Sequence, residues 1–452
     1  MPQKETRPPL TRNSLKDYFI QGFKKLDDLQ VGVEWEKIGV YRKTLKAIRY
    51  AGSKGVEAIF KKLIARNGWE PIRQGAYIIA LKKGRSSITL EPGGQIELSG
   101  QKSKFLDKNA NELRRHLEEI KKVSGPMGIA WLGIGLQPVS THQEIAWVPK
   151  KRYRIMRETL KNKGSLTYAM MKETASIQIS LDYTDERDAI EKLRLGLALS
   201  PLLTAIYANS PIAQGGLSGF YSRRAYIWRH TAPERTGIIP QAFKPGFNFE
   251  GYIEYALSVP LLFLIRGEKW IRVPRLTFGQ FLKRGFGSWK PEASDWDMHL
   301  TTLFTETRLK KYVEIRSMDC QKTTLGMSAP ALLKGIFYDG ASRKNAWGLL
   351  SDLSIKERLK LSEEVPVKGL KTRFKNKTLL EPARELVRLA ETGLARLTKR
   401  RLALSDESKY LEPLKRILFE RKITPAEILI ECFSRAGNPK EIRERVIACA
   451  AI

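Results

Sequence analysis

Cysteine is scarce in this chain, and what there is does not group. Cys320, Cys432 and Cys449 are the only three in 452 residues, far apart and without metal-ligand spacing. So sparse and odd a set argues against a disulfide framework and against a structural zinc. The four histidines, at 116, 142, 230 and 299, form no short ligand motif either. Long apolar runs are lacking too: the longest, residues 195–208, falls short of the roughly 20 residues that cross a bilayer. The polar stretch 1–11 carries no apolar signal core, so the expected location is cytoplasmic, with no membrane partner. There is no internal repeat, no low-complexity tract, no Walker loop and no protein-kinase signature. A single Gly-x-Gly, at Gly133 and Gly135, is too weak to define a nucleotide loop.

Acidic residues are in the minority, 48 against 80 Lys and Arg, for a net charge of +32. That surplus permits loose attraction to nucleic acid. However, the basic residues spread over the whole chain, no tail concentrates them, and no aromatic-basic platform is visible. The expectation is a solvated basic surface with no specific nucleic-acid partner. Hydrophobic residues at 42% and charged residues at 28% give a soluble globular composition. The length allows about two or three domains. The organisation expected is a leader over 1–30, a catalytic region over 31–340 and a helical region over 341–452 packed on it.

What is present is one strand pattern, repeated. In 312–316, Tyr312, Glu314 and Arg316 take one face and Val313 and Ile315 the other. In 31–39, Glu34 and Glu36 share a face opposite Val33 and Trp35. In 88–100, Gln95, Glu97 and Ser99 oppose Ile96 and Leu98, with Glu91 ahead of a Pro-Gly-Gly turn. In 176–182, Ser176, Gln178, Ser180 and Asp182 oppose Ile177, Ile179 and Leu181.

Between these strands lie helical signals. Residues 15–26 carry Tyr18, Phe19 and Phe23 on one side, and Ser53 precedes an amphipathic helix that Asn67-Gly68 stops. Leu106, Ala110, Leu113, Leu117 and Ile120 form one apolar stripe, and 188–208 is helical with Pro201 as a kink or break. Residues 131–138 read as a buried strand and 149–164 as a basic surface segment. Residues 210–219 read as a mobile loop able to close over a site. Thr424-Pro-Ala-Glu427 is a capping box that opens a helix.

If the four strands pair antiparallel with apolar backs against helices, Glu34, Glu36, Glu91, Glu97 and Glu314 meet on one concave face. Carboxylates so placed repel and raise one another's pKa values unless cations sit between them. Magnesium takes oxygen ligands and bridges carboxylates to phosphates. Acids that bind it, with arginines beside them, describe a phosphoryl-transfer site. The plain alternative is an amphipathic sheet with a solvated polar face. An alternative of another class is a basic nucleic-acid-binding protein that keeps the fold without activity.

Seven short motifs, taken in order, add a resemblance. They are Glu34-Trp-Glu-Lys-Ile-Gly, Ile88-Thr-Leu-Glu-Pro-Gly-Gly-Gln-Ile-Glu-Leu-Ser-Gly, Leu132-Gly-Ile-Gly-Leu-Gln-Pro, Arg152-Tyr-Arg-Ile-Met, Ala208-Asn-Ser-Pro, His299-Leu-Thr-Thr-Leu-Phe and Glu314-Ile-Arg. Together with Val367-Lys-Gly-Leu-Lys-Thr and Thr424-Pro-Ala-Glu, the chain resembles the glutamate–cysteine ligases of plant and proteobacterial type from about residue 15 onward. The resemblance implies an α+β fold, an antiparallel sheet cup of the glutamine-synthetase-like carboxylate-amine ligase kind. It implies ATP-dependent joining of L-glutamate and L-cysteine through γ-glutamyl phosphate, with Mg2+, in a monomer or weak homodimer. A related amine acceptor or another thiol pathway is the nearest alternative.

Carried over by position, Glu34, Glu36, Glu91, Glu97, Gln178 and Glu314 match metal-serving positions, and Glu314 and Arg316 the catalytic Glu-x-Arg. Arg316 and Arg235 are expected at ATP, and Arg223, Arg224, Trp228, Thr301 and Thr302 at the amino-acid substrates. Trp35 stands where the plant enzymes carry His. Ala175, Val273 and Ser288 stand in the regions of their redox-control cysteines, so control of that kind is expected to be missing.

Overall fold

A computed structural model describes residues 10–273, 275–400 and 402–452. The alternating segments become strands of one sheet. They are β1 (Val31–Tyr41), β2 (Glu70–Gln74), β3 (Tyr77–Lys83), β4 (Ser86–Leu90), β5 (Ile96–Ser99), β6 (Ile129–Leu132), β7 (Ser176–Leu181), β8 (Thr307–Leu309) and β9 (Val313–Asp319). The order is β8-β9-β7-β1-β5-β4-β3-β2, with β6 on the far end of β1. Every pairing is antiparallel. The fold is α+β, as its alternating strands imply.

The apolar faces of the strands are covered by helices. Those used below are α1 (Val56–Asn67), α2 (Leu106–Ser124), α3 (Lys151–Leu160), α4 (Glu186–Ile206), α5 (Arg223–Arg229), α6 (Ser328–Tyr338), α7 (Leu380–Lys399), α8 (Pro425–Ser434) and α9 (Pro439–Ala450). α4 lies under β8 and β9, α6 under β7 and β1, and α2 under β1 and β6. Val31, Trp35, Ile177, Ile179, Leu181, Val313 and Ile315 are buried beneath the sheet in one contiguous core. Beyond residue 340 the chain is mainly helical, and α7 packs on α6. Among the described residues, no helix is long and apolar enough to cross a membrane.

Several local expectations change. The first helix spans Arg12–Ile20 rather than reaching residue 26, because its Thr11–Ser14 capping box starts it early and Gln21 closes it. α4 continues through Pro201, whose ring sits among buried core residues, so packing overrides the expected break. The strand expected over 131–138 ends at Leu132. Past that point the backbone pairs with the chain terminus instead: Gly133 N–H donates to Ala450 O (2.9 Å), and Ile452 N–H to Trp131 O (3.1 Å). A Cβ at Gly135 would lie 2.5 Å from the Asp319 carboxyl carbon, so this Gly-x-Gly serves close packing, not a phosphate. The segment 210–219, expected to be mobile, is a two-strand ribbon of Ile212–Ala213 with Gly216–Leu217, and Gly215 N–H donates to Pro138 O. Contrary to the argument from sparse cysteines, Cys432 of α8 and Cys449 of α9 form a disulfide, while Cys320 is free and buried. The two helices pack on each other, which brings together cysteines 17 residues apart in sequence.

Helix α4 approaches the sheet at Gly196. A Cβ there would lie 2.6 Å from both Ile315 Cδ1 and Thr307 Oγ1. Overpacking of this kind costs about 1–3 kcal/mol. Gly196→Ala is therefore expected to lower the unfolding free energy read from urea titration by that amount, and the urea midpoint with it. Gly125→Ala, where a Cβ meets nothing within 4 Å, is expected to leave it level or higher.

Candidate active site

Strand register builds the site. On the concave face Glu36 of β1 stands opposite Glu97 of β5, which stands opposite Thr89 of β4. Glu34 stands between Ser99 of β5 and Gln178 of β7. Glu314 of β9 stands between Ser180 of β7 and Arg308 of β8. Glu91 follows β4 in a tight turn in which Gly94 N–H donates to Glu91 O (2.9 Å); Gly94 adopts a φ of 86°, open to glycine without strain. All five glutamates line one cavity of about 330 Å3.

Cations face the acids. Lys150, Arg152, Arg224, Arg308, Lys310 and Arg316 line the same cavity. Arg308 Nε donates to Glu314 Oε2 at 2.6 Å, and its Nη1 ties to the carbonyls of Thr301 (2.8 Å) and Leu303 (3.1 Å). Arg316 lies 3.4 Å from the same Glu314 oxygen and donates to the Gln178 amide oxygen. Gln178 Nε2 in turn donates to Glu36 Oε1 at 3.0 Å, so the amide bridges the acid row to Arg316. Glu36 also accepts the Ser176 N–H at 2.6 Å, and Glu97 accepts from Thr89 (3.0 Å) and Ser99 (2.8 Å).

The same row has opposite electrostatics at its two ends. Burial, with the charges of Glu91 and Glu97 adding, raises Glu36 to about 8. Burial, with Glu97 and Glu314 adding, drives Glu34 well above its ordinary value, and Glu91 rises for the same kinds of reason. At Glu314 burial pushes upward, but Arg308 and Arg316 more than offset it and the carboxyl stays below its ordinary value. Among the described residues, no three acidic, histidine or cysteine side chains are gathered tightly enough to cage an ion as they stand. The acids ring the cavity instead.

Of the residues expected at substrates, Arg224, Trp228 and Thr301 line the cavity. Arg223, Thr302 and Arg235 do not. The Arg223 guanidinium lies over Phe220 (5.6 Å). Thr302 is buried and donates from Oγ1 to His299 O (2.7 Å). Arg235, expected at ATP, is 1% exposed and donates to the carbonyls of Thr302 (3.1 Å) and Pro260 (2.6 Å). It is a cross-link inside the protein, its guanidinium engaged by those carbonyls, and the strand Thr236–Gly237 that follows it pairs with Phe304–Thr305.

Other lining residues escaped the sequence. Residues 149–164 are not a surface segment: α3 brings Arg152 and Tyr153, with Lys150 just ahead of it, onto the cavity beside Glu91. Arg308 and Lys310 continue the alternation of Tyr312, Glu314 and Arg316 backwards through the hairpin, a signal that was available. Asp319 was hidden by a bulge. β9 advances three residues, from Ile315 to Met318, while β7 moves two, and this moves Asp319 off the apolar face of Val313 and Ile315 to stand opposite Ser176, where it is buried. There it accepts from Asn209 N–H (2.8 Å), Ser210 Oγ (2.7 Å) and Ser222 Oγ (2.9 Å) and faces Arg224 at 3.7 Å.

Comparison with known proteins agrees with this arrangement. The model of glutamate–cysteine ligase family 2 matches residues 30–448. The chain is 39% identical over 429 residues to the chloroplastic glutamate–cysteine ligase of Arabidopsis thaliana, covering 94% of this chain and 80% of that protein. To the chloroplastic enzyme of Medicago truncatula it is 38% identical over 428 residues, covering 94% and 82%. The crystal structure of the Francisella tularensis glutamate–cysteine ligase in complex with AMP shares the fold. Its TM-score is 0.58 at 13% identity, covering 94% of this chain and 89% of that one. With an acid row on an antiparallel sheet, faced by arginines, and a family match across nearly its whole length, this chain belongs to glutamate–cysteine ligase family 2.

Proposed function

We propose that this protein joins the γ-carboxylate of L-glutamate to the amine of L-cysteine at the expense of ATP, the first step of glutathione synthesis. The observation that carries the reading is the mixed charge of one small cavity: five glutamates and six Lys or Arg side chains face about 330 Å3. Such a lining suits a ligand set that is strongly anionic yet arrives with a cation, as nucleotide phosphates and amino-acid carboxylates do.

In the first step the γ-carboxylate oxygen of glutamate attacks the γ-phosphorus of ATP, and ADP leaves. In the second the cysteine amine attacks the acyl carbon, phosphate leaves with the C–O bond electrons, and the nitrogen gives up a proton. Arg316 and Arg308 face the cavity as fixed donors for the negative charge that builds on the transferring phosphoryl group. Lys150 and Arg152 offer further cations at the Glu91 end. Met156, Met170 and Met171 form a polarizable apolar part of the lining, which favours an acceptor with a thiol.

The residues present fit magnesium. Their donors are all oxygen, Glu314 Oε1 is buried without a partner, and among the described residues Glu34 makes no hydrogen bond. Glu34, Glu36, Glu91, Glu97 and Glu314 are the acids that would hold it. Bound there, magnesium would neutralise phosphate charge and orient the nucleotide. Gln178, with both ends of its amide engaged by Glu36 and Arg316, orients those two groups.

The first test is ADP release with ATP, magnesium and glutamate, adding cysteine, other amino acids or ammonia in turn. Turnover with cysteine alone is expected. Turnover with another amine would replace the acceptor, and none from folded protein would overturn the reading. Arg316→Ala is expected to lower kcat by about 10²–10³. Arg235→Lys is expected to lower the thermal midpoint while leaving kcat and the KM for ATP unchanged.

A pH dependence follows from Glu36. Its folded pKa is raised from 4.5 to about 8, so the folded state holds the proton more tightly than the unfolded chain does. This contribution to stability is fully present below about pH 4.5 and is lost as pH rises through about 8. In chelator, the thermal midpoint is therefore expected to fall across that interval, and Glu36→Gln to flatten the fall.

A further inference from the structure

On the opposite face of the sheet lies a second cleft, of about 680 Å3, between β4, β5, the residues just after β5 and helix α2. Leu98 and Ser86 turn into it, while Glu97 and Thr89 turn into the cavity of the five glutamates, so the sheet separates the two. Six basic side chains line the cleft. Three are matched by carboxylates: Lys83 by Glu119 (3.2 Å), Lys102 by Asp182 (3.7 Å) and Lys104 by Asp28 (3.2 Å). Arg85, Lys108 and Arg115 have no carboxylate within salt-bridge distance among the described residues. Of the two lining acids, Glu119 is engaged by Lys83 and Trp69, and Glu112 accepts from Ser86 and from Gln101 N–H (2.9 Å).

The second observation is independent of that charge. His116 lines the cleft, is 3% exposed, and neither of its ring nitrogens has a hydrogen-bond partner. A buried imidazole left unpaired costs free energy that a ligand can recover. Burial and the nearby Lys37 ammonium hold it well below its ordinary value, so the ring is neutral and offers one donor and one acceptor.

We infer that this cleft is a binding site for a small phosphorylated molecule, separate from the catalytic cavity, with Arg85, Lys108 and Arg115 facing its phosphate oxygens and His116 completing the site at depth. A phosphate monoester has a second pKa near about 6. Near or below that pH it brings both P–O acceptors and a P–OH donor to the ring, whereas sulfate brings acceptors alone. The volume suits a nucleotide-sized ligand, within the roughly 300–1,000 Å3 of small-molecule sites. A concave cleft ending in a buried ring favours a terminal phosphate over the backbone of a nucleic acid, which runs along open grooves.

The test is a titration of the full chain with inorganic pyrophosphate, read on the histidine ring signals by NMR. His116 is assigned through His116→Gln or, should that variant not fold, through backbone-linked spectra of deuterated protein. The His116 signals are expected to move saturably with pyrophosphate and less with equal sulfate. The surface double variant Arg85→Ala/Arg115→Ala is expected to weaken this binding at least tenfold with ligase turnover unchanged, and Arg316→Ala to leave the His116 titration intact. No movement of the His116 signals, or movement indifferent to the double variant, would overturn the site. A single-stranded oligonucleotide that displaces pyrophosphate and binds more tightly would overturn its assignment to a small molecule.

Discussion

The ion triad of Glu314 with Arg308 and Arg316 is the interaction on which the site depends. Five carboxylates on one sheet face cannot all be buried and charged without compensation, because each removed from water carries a desolvation penalty of several kcal/mol. The triad holds one end of the row ionised. Toward β5 and the Glu91 turn no guanidinium among the described residues bonds the acids directly, and Glu34, Glu36 and Glu91 rise instead. The cavity thus has one pole where an ionised carboxylate sits between two guanidinium groups, net positive, and another pole that asks for a cation. That asymmetry is what a magnesium–nucleotide complex and an amino acid need to be oriented in one place.

The walls are held by Asp319. Its bulge-turned carboxylate accepts from Ser222, the residue that caps α5, and from Ser210 and Asn209, and it faces Arg224. Arg224 in turn donates to the Arg316 carbonyl (2.9 Å), so α5, with Trp228 at the cavity, is tied to the strand that carries Glu314 and Arg316. Gly135 can pass beside this carboxylate only because it has no Cβ. A single buried acid therefore ties the wall that carries Arg224 and Trp228 to the sheet.

The surplus of positive charge, read along the chain, suggested little beyond a basic surface. In three dimensions it divides. Part of it faces the acids in the catalytic cavity, and part lines the cleft behind the sheet, where Arg85, Lys108 and Arg115 outnumber the acids left to meet them. The rival reading as an inactive nucleic-acid-binding protein loses its ground at the first of these places. A chain with no use for metal or phosphate has no reason to keep five glutamates opposite six cations around one cavity.

Alternation by itself determined most of the site: Glu34, Glu36, Glu97, Gln178, Glu314 and Arg316 face the cavity because side chains on a strand must alternate and the other face is apolar. Arg308 and Lys310 were equally legible had the same alternation been followed back through the hairpin. Other features depended on contacts between segments far apart in sequence, which no local period encodes. Lys150, Arg152 and Tyr153 looked like solvated surface until α3 packed beside Glu91. Arg235, a plausible ATP ligand by position, proved to be an internal cross-link, because its guanidinium is engaged by the carbonyls of Thr302 and Pro260. Asp319 fell out of phase through one extra residue in β9. The cysteines 432 and 449 met only because two terminal helices pack on each other. Local periodicity decided which face each strand turned to the cavity, and long-range packing decided what stood opposite it.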